Sequence, residues 1–281
     1  MTTDLSRTRL ERGEVVRVER FGALVELTAM LPYLAATAEP GQFAQLRCGP
    51  GSVPLLRRPF SVAWVDDELC TFVFEEVGAG TRLLGRLRPG DELEVLGPLG
   101  RGFTVDAVKQ GCVIVSGGVG CAPFPLLIGR LLDHGVRDIV VLSGGSTAER
   151  LYPAARFRRG AAIEVREATD DGSRGTRGLV TELLRDVHPG PRGALYACGP
   201  NRMLAAVAGV IERAGIAAGV AEASLEAPMG CGFGTCLGCA LPMRTSGEEP
   251  RWALCCSDGP VMPMAGVDWE AVTRLPGADV A

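Results

Sequence analysis

Cys231, Cys236 and Cys239 fall within one eleven-residue run, MGCGFGTCLGC, which also holds four glycines. A further thiol follows after 15 residues at Cys255, or after 16 at Cys256. This is the C-x4-C-x2-C…C spacing in which thiolates hold a plant-type [2Fe–2S] cluster. Glycines let backbone N–H groups come close to sulfur, and such hydrogen bonds tune a metal centre. Structural zinc sites more often pair two short cysteine knuckles, whereas here three thiols share one loop and one is remote. A Rieske centre needs two histidines, and the only two in the chain, His134 and His188, lie elsewhere. Redox chemistry at Cys236-x-x-Cys239 alone leaves Cys231 and the glycines without a role. Spacing leaves the fourth ligand open between Cys255 and Cys256.

Four further motifs suit phosphates and dinucleotides. RRPFS, residues 57–61, puts arginine beside a hydroxyl, a pairing that binds phosphate by charge-assisted hydrogen bonds. VGAGTRLL supplies Gly78, Gly80 and Thr81 before a short helix, where backbone N–H groups favour a pyrophosphate. Taken alone, RPxS is better read as an ordinary turn and GxGT as a turn capping a helix; their order and separation within one β region favour a joint site. SGGVGCAP, residues 116–123, follows a strand and opens a helix, with Gly117, Gly118 and Gly120 in the turn. It is not the G-x-G-x-x-G fingerprint. YACGPNRML repeats the strand–turn–helix context with Cys198, Gly199 and Pro200. Two such turns at strand C-termini face one crevice in an open α/β sheet. The strand DIVVLSGGS ends without an acidic residue, so the choice between NAD and NADP stays open.

The elements that must position these residues form three parts. Residues 10–105 alternate short apolar strands with Gly, Pro and Asp turns, which predicts a small antiparallel barrel. From 111 to about 222, strands such as CVIVSGG alternate with helices such as PFPLLIGRLLDHG, predicting a Rossmann-like parallel α/β sheet. From about 223 the chain is rich in glycine and cysteine with little periodicity, so something other than a core must hold it together. The domain bounds expected are 8–106, 107–222 and 223–281. The chain of 281 residues is 47% hydrophobic, enough for real cores, and its net charge of −4 has no long run of one sign. Nucleic acid and anionic membrane surfaces are therefore not expected partners. The polar start MTTDLSRTRLERGE predicts neither a signal peptide nor a span, and hence a cytoplasmic protein. Cytosolic thiols stay reduced, so the scattered Cys48, Cys70, Cys112 and Cys198 read as small buried hydrophobes.

Taken together, RRPFSV with GAGT, GGVGCAP with CGPNRM, and a C-terminal cysteine loop resemble the ferredoxin–NADP reductase superfamily. SLEAPMGCGFGTCLGCALP followed by CCSDGPVM is similar to one branch, the electron-transfer subunits of B-type dihydroorotate dehydrogenases. The resemblance covers residues 10–265. It implies FAD on the barrel, contacted by Arg58, Pro59, Phe60 and Ser61, bordered by Val73, Phe74 and Glu75, with Gly80 and Thr81 at the pyrophosphate. It implies NAD on Gly117, Gly118 and Gly120, with Cys198, Gly199 and Pro200 near the nicotinamide. It implies a cluster on Cys231, Cys236, Cys239 and Cys256, because the family's last ligand stands two residues before Asp-Gly-Pro. The implied partner is an FMN-containing catalytic chain that oxidises dihydroorotate in pyrimidine biosynthesis, in a heterotetramer with two of each chain. Electrons would run from that FMN through the cluster and FAD to NAD. Flavin stands in the middle because it handles both single electrons and hydride, and no acid–base catalyst is expected in this chain. The same motifs also suit a reductase subunit of a hydrogenase, sulfite reductase or transhydrogenase complex; a non-enzymatic zinc or iron–sulfur scaffold is the alternative outside redox enzymes. Three departures stand out: the Cys255-Cys256 doublet, Cys121 in the dinucleotide turn as either a small hydrophobe or a thiol near the nicotinamide, and Met262 where an aromatic is usual, a change expected to bear on partner packing.

Overall fold

The protein is described by a computed structural model covering residues 5–49, 51, 53–158, 161–247 and 249–275. Among these, six strands close an antiparallel barrel: β1 (Arg9–Phe21), β2 (Leu24–Met30), β3 (Phe43–Leu46), β4 (Arg58–Asp66), β5 (Leu69–Glu75) and β6 (Glu92–Leu99), in the order β1-β2-β5-β4-β3-β6. Val15, Leu27, Leu46, Phe72, Phe74 and Val95 fill its interior. Helix α1 (Pro32–Thr37) and helix α2 (Ala79–Leu84) follow β2 and β5. The RRPFS motif begins at Arg57, just before β4, and its Arg58–Ser61 part forms the start of the strand and not a turn before it. Pro59 is tolerated there because β4 pairs with β3 at Gln45↔Pro59 but meets β5 only from Val62 onward. Its missing N–H therefore has no second ladder to break.

The second sheet runs β10-β9-β8-β7-β11-β12-β15. Six of its strands, β7 (Cys112–Gly117), β8 (Ile139–Gly145), β9 (Glu164–Thr169), β10 (Thr176–Arg177), β11 (Gly190–Cys198) and β12 (Ala218–Ser224), are parallel to one another. Helix α3 (Phe124–Asp133) buries Phe124, Leu127, Ile128 and Leu131, the i, i+3, i+4, i+7 stripe expected of an amphipathic helix. Short helices α4 (Ala154–Arg158) and α5 (Val180–Leu183) and the longer α6 (Asn201–Ala214) complete this part. The strands between 111 and 222 are thus parallel, as the sequence predicts, and the sheet's antiparallel member comes from the cysteine-rich part. Two strands of the cysteine-rich part, β13 (Ala240–Met243) and β14 (Arg251–Leu254), form a hairpin. The next, β15 (Val261–Pro263), joins the sheet antiparallel to β12 with Met262 opposite Ala223, and α7 (Trp269–Val272) follows. Met262 is thereby buried. It packs inside this chain and not, as expected, towards a partner.

Polar contacts lock barrel and sheet together. The buried carboxylate of Glu222 accepts from both the N–H and the hydroxyl of Thr104, each at 2.8 Å. Tyr196 donates to the Thr104 carbonyl. Glu26, buried on β2, accepts from the Tyr152 hydroxyl at 2.5 Å and lies 3.5 Å from Arg156. Removing the Tyr152 hydroxyl leaves Glu26 Oε1 desolvated without its donor, while Oε2 keeps Arg156. Tyr152→Phe is therefore expected to cost about 1–3 kcal/mol, read as a lower urea midpoint at unchanged slope.

Candidate redox site

The barrel residues expected at the flavin come together at one end of β4 and β5. Arg58 donates from Nη1 to the Leu56 and Arg57 carbonyls at 2.8 and 3.2 Å. A methyl group built on Gly80 would lie 3.4 Å from Arg58 Nε and 2.9 Å from Cys48 Sγ, so only glycine leaves room between arginine and turn. Arginine over a side-chain-free turn is a donor set that fits a pyrophosphate. Thr81 uses its hydroxyl locally: Oγ1 accepts from the Gly78 N–H at 3.0 Å and donates to the Gly78 carbonyl at 3.1 Å. Any phosphate contact at this turn then falls to backbone N–H groups. The Phe60 and Phe74 rings lie 5.2 Å apart, Val73 and Phe74 are buried, and Ser61 is half-buried.

Glu75 carries this face onto the second sheet. Its carboxylate pairs with Arg150 at 3.0 Å, and a methyl on Gly118 would lie 3.9 Å from Glu75 Oε1. The two expected dinucleotide turns also meet. A methyl on Gly120 would strike the Cys198 carbonyl at 2.3 Å, and one on Gly199 would lie 3.1 Å from the Gly117 nitrogen. Gly117, Gly118, Gly120, Cys198, Gly199 and Pro200 thus form one patch of close-packed backbone at the C-terminal ends of β7 and β11, where open α/β sheets take ligands. Cys121 is fully buried and its thiol is pushed up chiefly by burial, so it is a packing residue and not a reactive thiol.

The cysteines of the C-terminal part are drawn up in twos. Cys239 and Cys256 Sγ atoms lie 3.2 Å apart, both buried. The Cys236 N–H donates to Cys231 Sγ at 3.5 Å, nearer the surface. Backbone donors serve the inner pair as well: Gly234 to Cys256 Sγ at 3.2 Å and Cys256 to Cys239 Sγ at 3.4 Å. Gly232 and Gly234 hold φ of +85° and +86°, which makes the tight wrap possible. Cys255 faces the other way, with its thiol 3.4 Å from the Leu225 carbonyl in an apolar core. Among the described residues no three metal-ligating side chains converge as they would around one ion. Two thiol pairs served by N–H donors instead fit a two-iron cluster, whose ligands come in twos. At Cys231, burial pushes the thiol up, but N–H groups of Cys236 and Phe233 outweigh it and bring it down to about 7. Such donors favour the thiolate, the form that binds metal.

Three residues of this region escape sequence reasoning. Asn201, buried at the start of α6, donates to the Glu226 carbonyl at 3.0 Å and accepts from the Glu226 N–H at 3.3 Å, tying the Cys198 turn to the entry of the cysteine loop. Arg150 pairs with Glu75 across the two sheets. Glu226 is the sole charged residue between 223 and 243, a signal the sequence did carry. Burial first, then the Glu75 charge, push its carboxyl up to about 7. A raised carboxyl stabilises the fold fully below its unfolded value near 4.5, and that stability is lost as pH rises through about 7. Glu226→Gln is expected to be more stable than the parent by about 2 kcal/mol at pH 8, the difference vanishing near pH ~4.5. Urea midpoints at the two pH values measure this.

The family of the "iron-sulfur cluster binding domain of dihydroorotate dehydrogenase B" matches residues 226–268. The dihydroorotate dehydrogenase B (NAD(+)) electron transfer subunit of Desulforamulus reducens is 36% identical over 242 residues, 85% of this chain and 90% of that protein. Its counterpart from Bacillus caldolyticus is 38% identical over 240 residues, 84% and 89% of the two chains. Among solved structures, a chain of the NADH-dependent reduced ferredoxin-NADP oxidoreductase aligns with a TM-score of 0.76 at 25% identity, covering 95% of this chain and 94% of that one. The flavohem-like FAD/NAD binding domain of nitric oxide dioxygenase from Vibrio cholerae shares the fold, with a TM-score of 0.65 at 14% identity over 77% of this chain and 98% of that one. On sequence and fold alike, the chain belongs to the family of dihydroorotate dehydrogenase B electron transfer subunits.

Proposed function

We propose that this chain is the electron-transfer subunit of an NAD-linked dihydroorotate dehydrogenase, taking electrons from a partner chain and delivering them to NAD. The observation that carries the reading is the pairing of Cys231 with Cys236 and of Cys239 with Cys256, within a family whose members are named for this role. When bound, a [2Fe–2S] cluster and FAD would supply one-electron and hydride chemistry in that order. The four cysteines hold the cluster, with N–H groups of Gly234, Cys236 and Cys256 at their sulfurs. Arg58, Pro59, Phe60, Ser61, Val73, Phe74, Glu75, Gly80 and Thr81 line the flavin site. Gly117, Gly118, Gly120, Cys198, Gly199 and Pro200 receive the dinucleotide. The units are 8–106, 107–222 and 223–281, although β15 of the last completes the sheet of the second. Half-exposed Phe233 and exposed Leu237 rim the outer thiol pair, a surface suited to an FMN-containing catalytic chain in a complex with two copies of each. No helix among the described residues is long and apolar enough to cross a membrane, and ten cysteines without a disulfide support work in the reducing cytoplasm.

Two measurements test this. The complex purified through this chain should contain FAD, FMN, iron and sulfide, reduce dyes with NADH, and form orotate from dihydroorotate with NAD. A flavin-free or colourless chain without dye reduction would overturn it; a partner lacking FMN, with no orotate formed, would reduce it to a reductase of another complex. Separately, Cys255→Ala should keep the full iron and sulfide content, whereas Cys256→Ser should weaken cluster retention at least about tenfold. The reverse result would move the fourth ligand to Cys255.

A further inference from the structure

Gln45 is the polar residue of β3 (Phe43–Leu46), between apolar neighbours. It is fully buried, and among the described residues neither its Nε2 nor its Oε1 has a hydrogen-bond partner. Buried amides are almost always paired, so such an orphan calls for an explanation. Its ladder neighbours cannot supply one: Pro59 lies opposite on β4 and Leu96 on β6, both with apolar side chains. What stands over the amide is the cysteine loop. A methyl group on Gly232 would lie 2.6 Å from Gln45 Nε2, 2.8 Å from Cγ and 3.1 Å from Cδ. Gly232 follows Cys231 directly and precedes Cys236 by four residues. The N–H groups of Gly234, Cys236 and Cys256 in this region already aim at sulfur. A side-chain N–H brought to the same place finds the same kind of acceptor.

We propose that Gln45, on the barrel, donates from Nε2 to a sulfur of the cluster held by the facing loop, and so raises the reduction potential of that cluster. The inference rests on the proposed cluster site. Thiolate and sulfide sulfurs accept and do not donate, so the amide presents Nε2–H₂ and not Oε1 to them. Reduction adds negative charge to the cluster, and a donor at sulfur favours the more negative state. The same strand pairs with the Arg58–Ser61 segment, so one residue joins the cluster loop to the strand that borders the flavin.

The test uses the purified complex and reads the cluster directly. In protein labelled with ¹⁵N in the glutamine side chains, pulsed electron paramagnetic resonance of the reduced cluster should show a ¹⁵N coupling and an exchangeable proton, both absent in Gln45→Leu. Redox titration should find the midpoint of Gln45→Leu lowered, with a shift of about tenfold in the reduction equilibrium, about 59 mV for one electron. Gln45→Glu keeps the shape but puts negative charge in place of the donor, and should fall further. If Gln45→Leu does not fold, the labelled parent and Gln45→Glu decide. No ¹⁵N coupling in the parent, or an unchanged midpoint in the variants, overturns the proposal and assigns the amide to a buried water. A parent with no [2Fe–2S] signal at all would instead overturn the cluster site itself.

Discussion

The arrangement depends on β3 being buried on both faces. Phe43, Ala44, Gln45 and Leu46 are all nearly inaccessible to solvent. Ala44 and Leu46 point into the barrel core, while Phe43 belongs to the same apolar cluster as Cys239, Cys255 and Cys256. An alternating strand normally has one face in water. Here the second face is covered by the cysteine-rich part, so a barrel of ordinary size gains a seat for a loop with almost no hydrophobic pattern of its own. The seat also dictates a distance. Because β3 pairs with β4 along Leu46↔Arg58 to Phe43↔Ser61, whatever rests on β3 is one strand away from the RPFS segment.

The second sheet shares apolar clusters with the barrel, through Phe43 and Leu99 on one side and Leu24, Ala63 and Val73 on the other, and polar locks fix how the two sit. Glu222 with Thr104, Glu26 with Tyr152, and Glu75 with Arg150 each join residues far apart in sequence. Each carboxylate is at least nine-tenths buried, where an unpaired charge is expensive and a well-paired one fixes orientation more than it adds stability. Sliding of the two sheets would leave those charges unpaired. That restriction keeps the turn of Gly80 beside Arg58 and the turn of Gly118 and Gly120 edge to edge across Glu75, which pairs with Arg150.

Much of this was legible in the chain. Cysteine spacing marked the loop, turn residues marked the barrel, and the switch from period two to period 3.6 marked the α/β part. What escaped were relations set by register. Cys255 and Cys256 are neighbours with opposite directions; only the pairing of Ala240 with Leu254, and the Cys255 N–H bonded to the Cys239 carbonyl, turns Cys256 towards the loop. Spacing could not choose between them, although the resemblance chose Cys256. The RRPFS motif reads as a turn leading into a strand, whereas the strand already begins at Arg58, and the one-sided pairing at Gln45↔Pro59 admits the proline. Asn201, Glu222 and Gln45 are buried polar residues whose partners or facing groups come from distant segments, so no local pattern reveals them.

The two thiol pairs sit in unlike surroundings, and this asymmetry gives the loop a direction. Cys236 is exposed and Cys231 half-buried, while Cys239 and Cys256 lie among Phe43, Leu99 and Leu241. Water can solvate charge at the outer pair, but at the inner pair only protein donors can. The structure supplies them there: Gly234 and Cys256 N–H groups bond the inner sulfurs. In a medium of low dielectric each such bond has a larger effect than at the surface. The inner side, next to the barrel, is therefore where this chain controls charge most strongly. The outer side, rimmed by Phe233 and Leu237, can be completed by another protein that excludes water from Cys236. A loop so divided does not need a large interface of its own to be specific. Its buried half is set by β3, and its exposed half gains a dry, ordered environment when a partner covers it.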